Sequence, residues 1–124
     1  MHQYGFEKLS VWQSSRQLTL KVYDATKQFP SDEKFGLVTQ IRRAMISVSS
    51  NIAEGSSRNT SKDQSHFYNL AYSSLIEVLN QTILSFDLGY VDATQYENIR
   101  TDIEEISNKL NALRKSIKEK QTQY

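Results

Sequence analysis

The stretch Asp92–Lys120, DATQYENIRTDIEEISNKLNALRKSIKEK, decides the fold. Its residues Tyr96, Ile99, Ile103, Ile106, Leu110, Leu113 and Ile117 recur at steps of 3 and 4. That spacing returns each side chain to one face of an α-helix, whose period is about 3.6 residues. The opposite face carries Arg100, Asp102, Glu104, Glu105, Lys109 and Lys115, so one side is wetted and the other buried. Asp92 with Gln95 reads as a capping box at the start of this helix. Just upstream, Gly89 stands where a left-handed residue closes a preceding helix.

Working back along the chain, Ser61 with Gln64 gives a second capping box and the start of that preceding helix. Val38, Ile41, Met45, Val48 and Ile52 form another seam at steps of 3, 4, 3 and 4. Ser31 is the expected N-cap of that helix, with Asp32 and Glu33 at the positive end of its dipole. Val11, Leu18, Val22, Ala25 and Phe29 mark a first helix that follows Ser10 and is stopped by Pro30. The expected helices therefore span about 10–29, 31–57, 61–88 and 92–119 of one domain covering 1–124. Short links make neighbours antiparallel. The expected class is all-α, an up-down-up-down antiparallel four-helix bundle.

Composition agrees. Leu, Ile, Val and Phe make up 31 of 124 residues, above the level at which disorder is the better expectation. One Pro and four Gly are too few for many tight turns, which argues against an all-β chain. The absence of Cys removes disulfides, thiolate zinc sites and thiol nucleophiles. No apolar run reaches membrane-spanning length, and Met1 to Ser10 lacks a signal pattern, so a soluble cytoplasmic protein is expected. Fifteen basic and 14 acidic residues give +1, so overall charge supplies no general pull toward nucleic acid.

Two helices carry faces that a monomer would not need. Between Gln64 and Phe86 the only formally charged side chain is Glu77, and Phe67, Leu70, Ala71, Leu75, Val78, Leu79, Ile83 and Phe86 cover more than half the circumference. Either this helix is sunk deep in its own bundle or it buries a second face against another subunit; the second account is favoured. On the second helix Gly36, Gln40, Arg43, Ser47, Ser50, Asn51, Glu54 and Arg58 share an arc opposite the seam. Ser and Asn are weak helix formers, and small side chains admit a neighbouring backbone, whereas a plain polar exterior is the alternative.

Several of these residues also carry a resemblance. Phe6-x-x-Leu9-x-Val11-Trp12, Phe29-Pro30, Phe35-Gly36-Leu37, Gln40-Ile41-Arg42-Arg43-Ala44-x-x-Ser47 and Asn51-Ile52-Ala53-Glu54-Gly55 resemble one protein type. Ala71-x-x-Ser74-x-x-Glu77 and Leu88-Gly89-Tyr90 extend the match over nearly the whole chain. The chain is similar to the small four-helix-bundle proteins encoded by intervening sequences of bacterial 23S ribosomal RNA. These resemble, more distantly, the accessory variability protein of diversity-generating retroelements, a ring-shaped homopentamer that binds nucleic acid and a reverse transcriptase. The resemblance implies a cyclic homo-oligomer, a pentamer being favoured. The retroelement relative is markedly basic, whereas this chain is nearly neutral.

Catalytic patterns are sparse. There is no Glu-x-x-His for a di-iron centre and no Gly-rich phosphate loop, and only His2 and His66 could serve as imidazoles. No metal, cofactor, catalytic residue or small-molecule substrate is expected. Glu54 and Glu77 are the best pair of carboxylates, but Arg58 at i+4 from Glu54 favours an ordinary ion pair. Arg43, Ser47, Asn51, Glu54, Gly55, Ser74 and Glu77 are expected to form a polar network or oligomer interface that fixes helix register. The candidate nucleic-acid footprint is Arg42, Arg43, Arg58 and Lys62, with Arg16 and Lys21 as additions and Tyr4, Tyr23 or Trp12 as stacking rings. An ordinary mixed-charge surface is the plain alternative, but repetition around a ring would make weak patches multivalent. The leading expectation is a non-enzymatic oligomeric binding scaffold associated with RNA or a ribonucleoprotein. A protein-interaction scaffold without nucleic acid is the alternative, and a carboxylate-dependent nuclease the third.

Overall fold

Each apolar seam becomes the inward edge of a helix. The computed structural model describes residues 1–122 and shows four α-helices: α1 (Ser10–Thr26), α2 (Leu37–Ser56), α3 (Ser61–Asp87) and α4 (Ala93–Thr122). Short 3-10 turns at Gly5–Lys8 and Ser31–Glu33 precede α1 and α2, and no strand occurs among the described residues. Helix α1 packs on α2 and α4, and α3 packs on the same two, so each helix has its two neighbours around a square. Those neighbours run antiparallel: Ser47 meets Ser74 while Gly55 meets Tyr68, and Lys109 reaches Ser10 while Lys21 reaches Asp102. This all-α arrangement is consistent with a four-helix bundle. At its centre Leu18, Met45, Ile52, Leu75, Ile106 and Leu110 are fully buried. Each such side chain contributes about 1.5–3 kcal/mol through removal from water.

Local chemistry sets the helix ends, in part differently from expectation. Ser10 is the first residue of α1 rather than its cap, and its hydroxyl accepts from Lys109 Nζ at 2.7 Å. Helix α1 stops at Thr26, short of Pro30, as the amide of Lys27 tightens onto the carbonyls of Tyr23 and Asp24. Helix α2 starts at Leu37, not at 31, since Ser31–Glu33 forms a 3-10 turn. Its capping acceptor is the carboxylate of Glu33, whose Oε1 lies 3.4 Å from the Leu37 amide nitrogen. Glu33 Oε2 also accepts from the Tyr90 hydroxyl at 3.0 Å, tying the α1–α2 connector to the α3–α4 turn. Helix α3 is capped by Thr60, which accepts from Asp63 N at 3.1 Å, rather than by Ser61.

The α3–α4 turn follows its sequence signals. Gly89 has φ +78, the amide of Tyr90 donates to Ser85 O, and that of Gly89 donates to Phe86 O. Together these bonds make a Schellman closure, for which glycine is the natural residue. Asp92 and Gln95 then cap α4 reciprocally, at 2.8 and 3.1 Å.

Candidate functional site

The end of α1, the connector after it and the first turns of α2 enclose a shallow surface concavity of about 480 Å³. Three cations line it, Lys34, Arg42 and Arg43, with the rings of Tyr23 and Phe35 and a floor of Val38, Thr39 and Ile46. Among the described residues none of the three cations forms an ion pair. They are not equivalent. Arg42 is half-buried; its Nε donates to Thr26 Oγ1 at 2.8 Å, its Nη2 donates to Tyr23 O at 3.3 Å, and its guanidinium lies 4.5 Å over the Tyr23 ring. It thereby adds a side-chain donor to a carbonyl in the last turn of α1, which the Lys27 amide and the Thr26 hydroxyl also reach. Arg43 is exposed and carries no hydrogen bond to the other described residues. Lys34 Nζ sits 5.5 Å from the centre of the Phe35 ring, and Phe35 is 88% exposed.

The other half of the expected footprint lies elsewhere. From Arg43 to Arg58 is 15 positions, roughly 20 Å along a helix. Arg58 donates to Glu54 Oε2 at 2.8 Å and covers Phe67 at 4.5 Å, the i,i+4 pairing expected from sequence. Lys62 is exposed near it at the start of α3. Lys21 turns to α4 and pairs with Asp102 at 2.7 Å, while Arg16 covers Trp12. Trp12 itself is half-buried against Phe6 and the core. Lys34 and Phe35 lie outside the expected footprint, yet they complete the concavity. The signal that points to them is a cation beside an aromatic in a polar connector.

Between α2 and α3 the polar network is smaller than expected. Ser47 and Ser74 hydroxyls meet at 2.9 Å, and Asn51 Nδ2 donates to the Ser47 carbonyl and hydroxyl oxygens at 2.8 and 3.0 Å. Glu54 turns away to Arg58, and neither Arg43 nor Glu77 makes a hydrogen bond or ion pair with the other described residues. Gly55 is buried against the Tyr68 ring. The small residues of α2 thus admit a neighbour from the same chain. Further along α3, Gln81 is 8% exposed and leaves its Oε1 without a partner among the described residues.

Helix α3 buries only part of its apolar arc within the chain. Ala71, Leu75 and Val78 are buried within the chain, while Leu70, Ile76 and Leu84 stay 42–44% exposed on the outer side. Glu54 and Glu77 do not form a paired site. The Ser47–Ser74 contact fixes the register, leaving the two carboxylates about 10 positions, or roughly 15 Å, apart along the helix axes. No group of three His, Cys, Asp or Glu residues placed to hold a metal occurs among the described residues. Nor is any described helix long and apolar enough to cross a membrane.

The geometry defines a small all-α protein with a basic, aromatic corner on its surface. A profile of the 23S rRNA-intervening sequence proteins matches residues 7–112, and the chain belongs to that family. Its fold is similar to the crystal structure of a protein of unknown function from the S23 ribosomal protein family of Bacteroides thetaiotaomicron. The two share 25% sequence identity and a TM-score of 0.78, over 85% of this chain and 95% of that one. No curated protein matches.

Proposed function

We propose that the chain is a non-enzymatic, cytoplasmic, homo-oligomeric scaffold that associates with RNA or a ribonucleoprotein through the α1–α2 concavity. The observation that carries this reading is the grouping of Lys34, Arg42 and Arg43 around one hollow, with no described carboxylate paired to any of them. Net charge of +1 makes nonspecific attraction weak, so a local cluster matters more than the total. Self-association rests on Leu70, Ile76 and Leu84, which leave a partly apolar stripe along the outside of α3, with the exposed Glu77 as a charge on it. The family resemblance favours a ring of five. A protein-interaction scaffold without nucleic acid is the second reading, favoured by that same stripe.

Fluorescence anisotropy with labelled RNA at about 50 and about 200 mM salt tests the reading, with a Lys34→Ala/Arg43→Ala variant alongside. The expected result is affinity that falls with salt, with a salt slope smaller in the variant by about 0.7 for each phosphate it no longer neutralises. Sedimentation of the same sample should give a mass near five protomers of 14.3 kDa. Equal binding by the variant overturns the placement of RNA in the concavity. Absence of binding at low salt overturns the RNA reading, and the protein-interaction alternative would then stand.

A further inference from the structure

Phe35 is the most exposed ring in the concavity, at 88%, and a phenylalanine left in water forgoes most of about 1.5–3 kcal/mol of burial. The backbone that carries it is nevertheless anchored. The Gly36 amide donates to Glu33 O at 3.0 Å, the Thr39 hydroxyl donates to Lys34 O at 2.6 Å, and Tyr90 holds Glu33 from the α3–α4 turn. The ring is therefore presented from a fixed turn and can meet an occupant at reduced ordering cost. Tyr23, the other ring, has the Arg42 guanidinium over it at 4.5 Å. Beside Phe35, Ile46 is 45% exposed and extends the apolar surface, while Lys34 and Arg43 supply positive charge that no described carboxylate neutralises.

Lys34 Nζ lies over the Phe35 ring at 5.5 Å, yet the ring is 88% exposed, and an accessible apolar ring beside two cations that form no ion pair matches a ligand that offers a π-face and adjoining negative charges. We propose that this corner binds single-stranded RNA, with one unpaired base stacked on Phe35 and the adjoining phosphates held by Lys34 and Arg43. This rests on the RNA reading above and names the form of RNA recognised. Duplex RNA keeps its bases stacked inside the helix and presents phosphates alone, so it gains nothing from Phe35. The site is sequence-tolerant, since every base has a π-face.

Anisotropy with a labelled oligouridine single strand and with an RNA duplex of equal length tests the assignment, using wild type, Phe35→Ala and Phe35→Trp. Phe35→Ala should weaken single-strand binding by about fivefold to a hundredfold, leave duplex binding unchanged and keep the melting temperature, while Phe35→Trp restores the single strand. If wild type binds both RNAs and Phe35→Ala changes neither, the stacking assignment is wrong and the RNA reading survives. Failure of wild type to bind either RNA removes both. A Glu-rich peptide that displaces the single strand at lower concentration than unlabelled oligouridine, through Phe35, would assign the corner to an acidic protein segment instead.

Discussion

Replacing Gly55 by alanine probes how closely α2 and α3 are seated. A Cβ there would lie 2.7 Å from Tyr68 Cε1, 2.9 Å from Cδ1 and 3.1 Å from Cζ. Carbon atoms in contact settle near about 3.5–4.0 Å, so the ring would have to retreat by about 1 Å. Tyr68 is 3% exposed and belongs to the core cluster, so retreat displaces other buried side chains. Overpacking of this kind costs about 1–3 kcal/mol. Alanine in a helix interior recovers up to about 1 kcal/mol, and less here because α2 ends at Ser56. The expected net cost is about 1–2 kcal/mol, a fall in Tm of about 4–8 °C for a chain of this size. Thermal unfolding by far-UV circular dichroism at fixed protomer concentration measures it, since assembly would shift apparent stability. Tyr68→Leu supplies the control: if the clash is the cause, the double variant is destabilised by less than the sum of the singles. Additive effects, or an unchanged Tm for Gly55→Ala, would refute the close seating.

The neighbouring arginines should separate by stability. Arg42→Ala removes the bonds to Thr26 and to the Tyr23 carbonyl and should cost about 1–2 kcal/mol in urea unfolding. Arg43→Ala should stay within about 0.5 kcal/mol of wild type. Tyr90 and Glu105 should shape opposite limbs of the pH profile. The hydrogen bond to Glu33, reinforced by burial and by the Glu33 and Asp32 charges, raises the Tyr90 pKa above its ordinary 10.0. Its contribution is present below that value and lost as pH rises through the raised folded pKa, so Tyr90→Phe should flatten the alkaline fall in urea midpoints. Glu105 is lowered from 4.5, first by its hydrogen bond to Lys109 and then by that charge. Its contribution is present above 4.5 and lost as pH falls through the lowered pKa, so Glu105→Gln should flatten the acid limb.

What is legible in the sequence is what is local. The seams of α2 and α4, the glycine at 89 and the Asp92–Gln95 box each depend on residues within a turn or two of one another. The start of α2 is not legible in this way, because Ser31, Asp32 and Glu33 look like a helix beginning. Glu33 caps Leu37 instead, held in place by Tyr90, which lies 57 positions away. The basic footprint divides for the same reason. Arg42 and Arg43 are equivalent in a basic pair until α1 is placed, and only then does one tuck under the end of α1 while the other faces water. Phe35 stands three residues before Val38, a spacing that suits a core residue, yet the turn before α2 turns it outward.

The order of the helices around the bundle also bears on how the molecule opens. Helices α2 and α3 meet across a short link, as do α3 and α4, so each pair can form soon after its residues are in place. The pair α1 and α4 joins residues as far apart as Ser10 and Lys109, 99 positions, and nothing rewards that closure until both are already formed. Its rim is held by Lys21 with Asp102 and by Lys109 with Ser10 and Ser14, side chains that are at least partly in contact with water. This seam is the natural line of native-state breathing. When it parts, α1 swings on the connector that carries Phe35, while α2 and α3 stay clasped at Gly55, so amide protons along α1 exchange with solvent ahead of those in the α2–α3 pair.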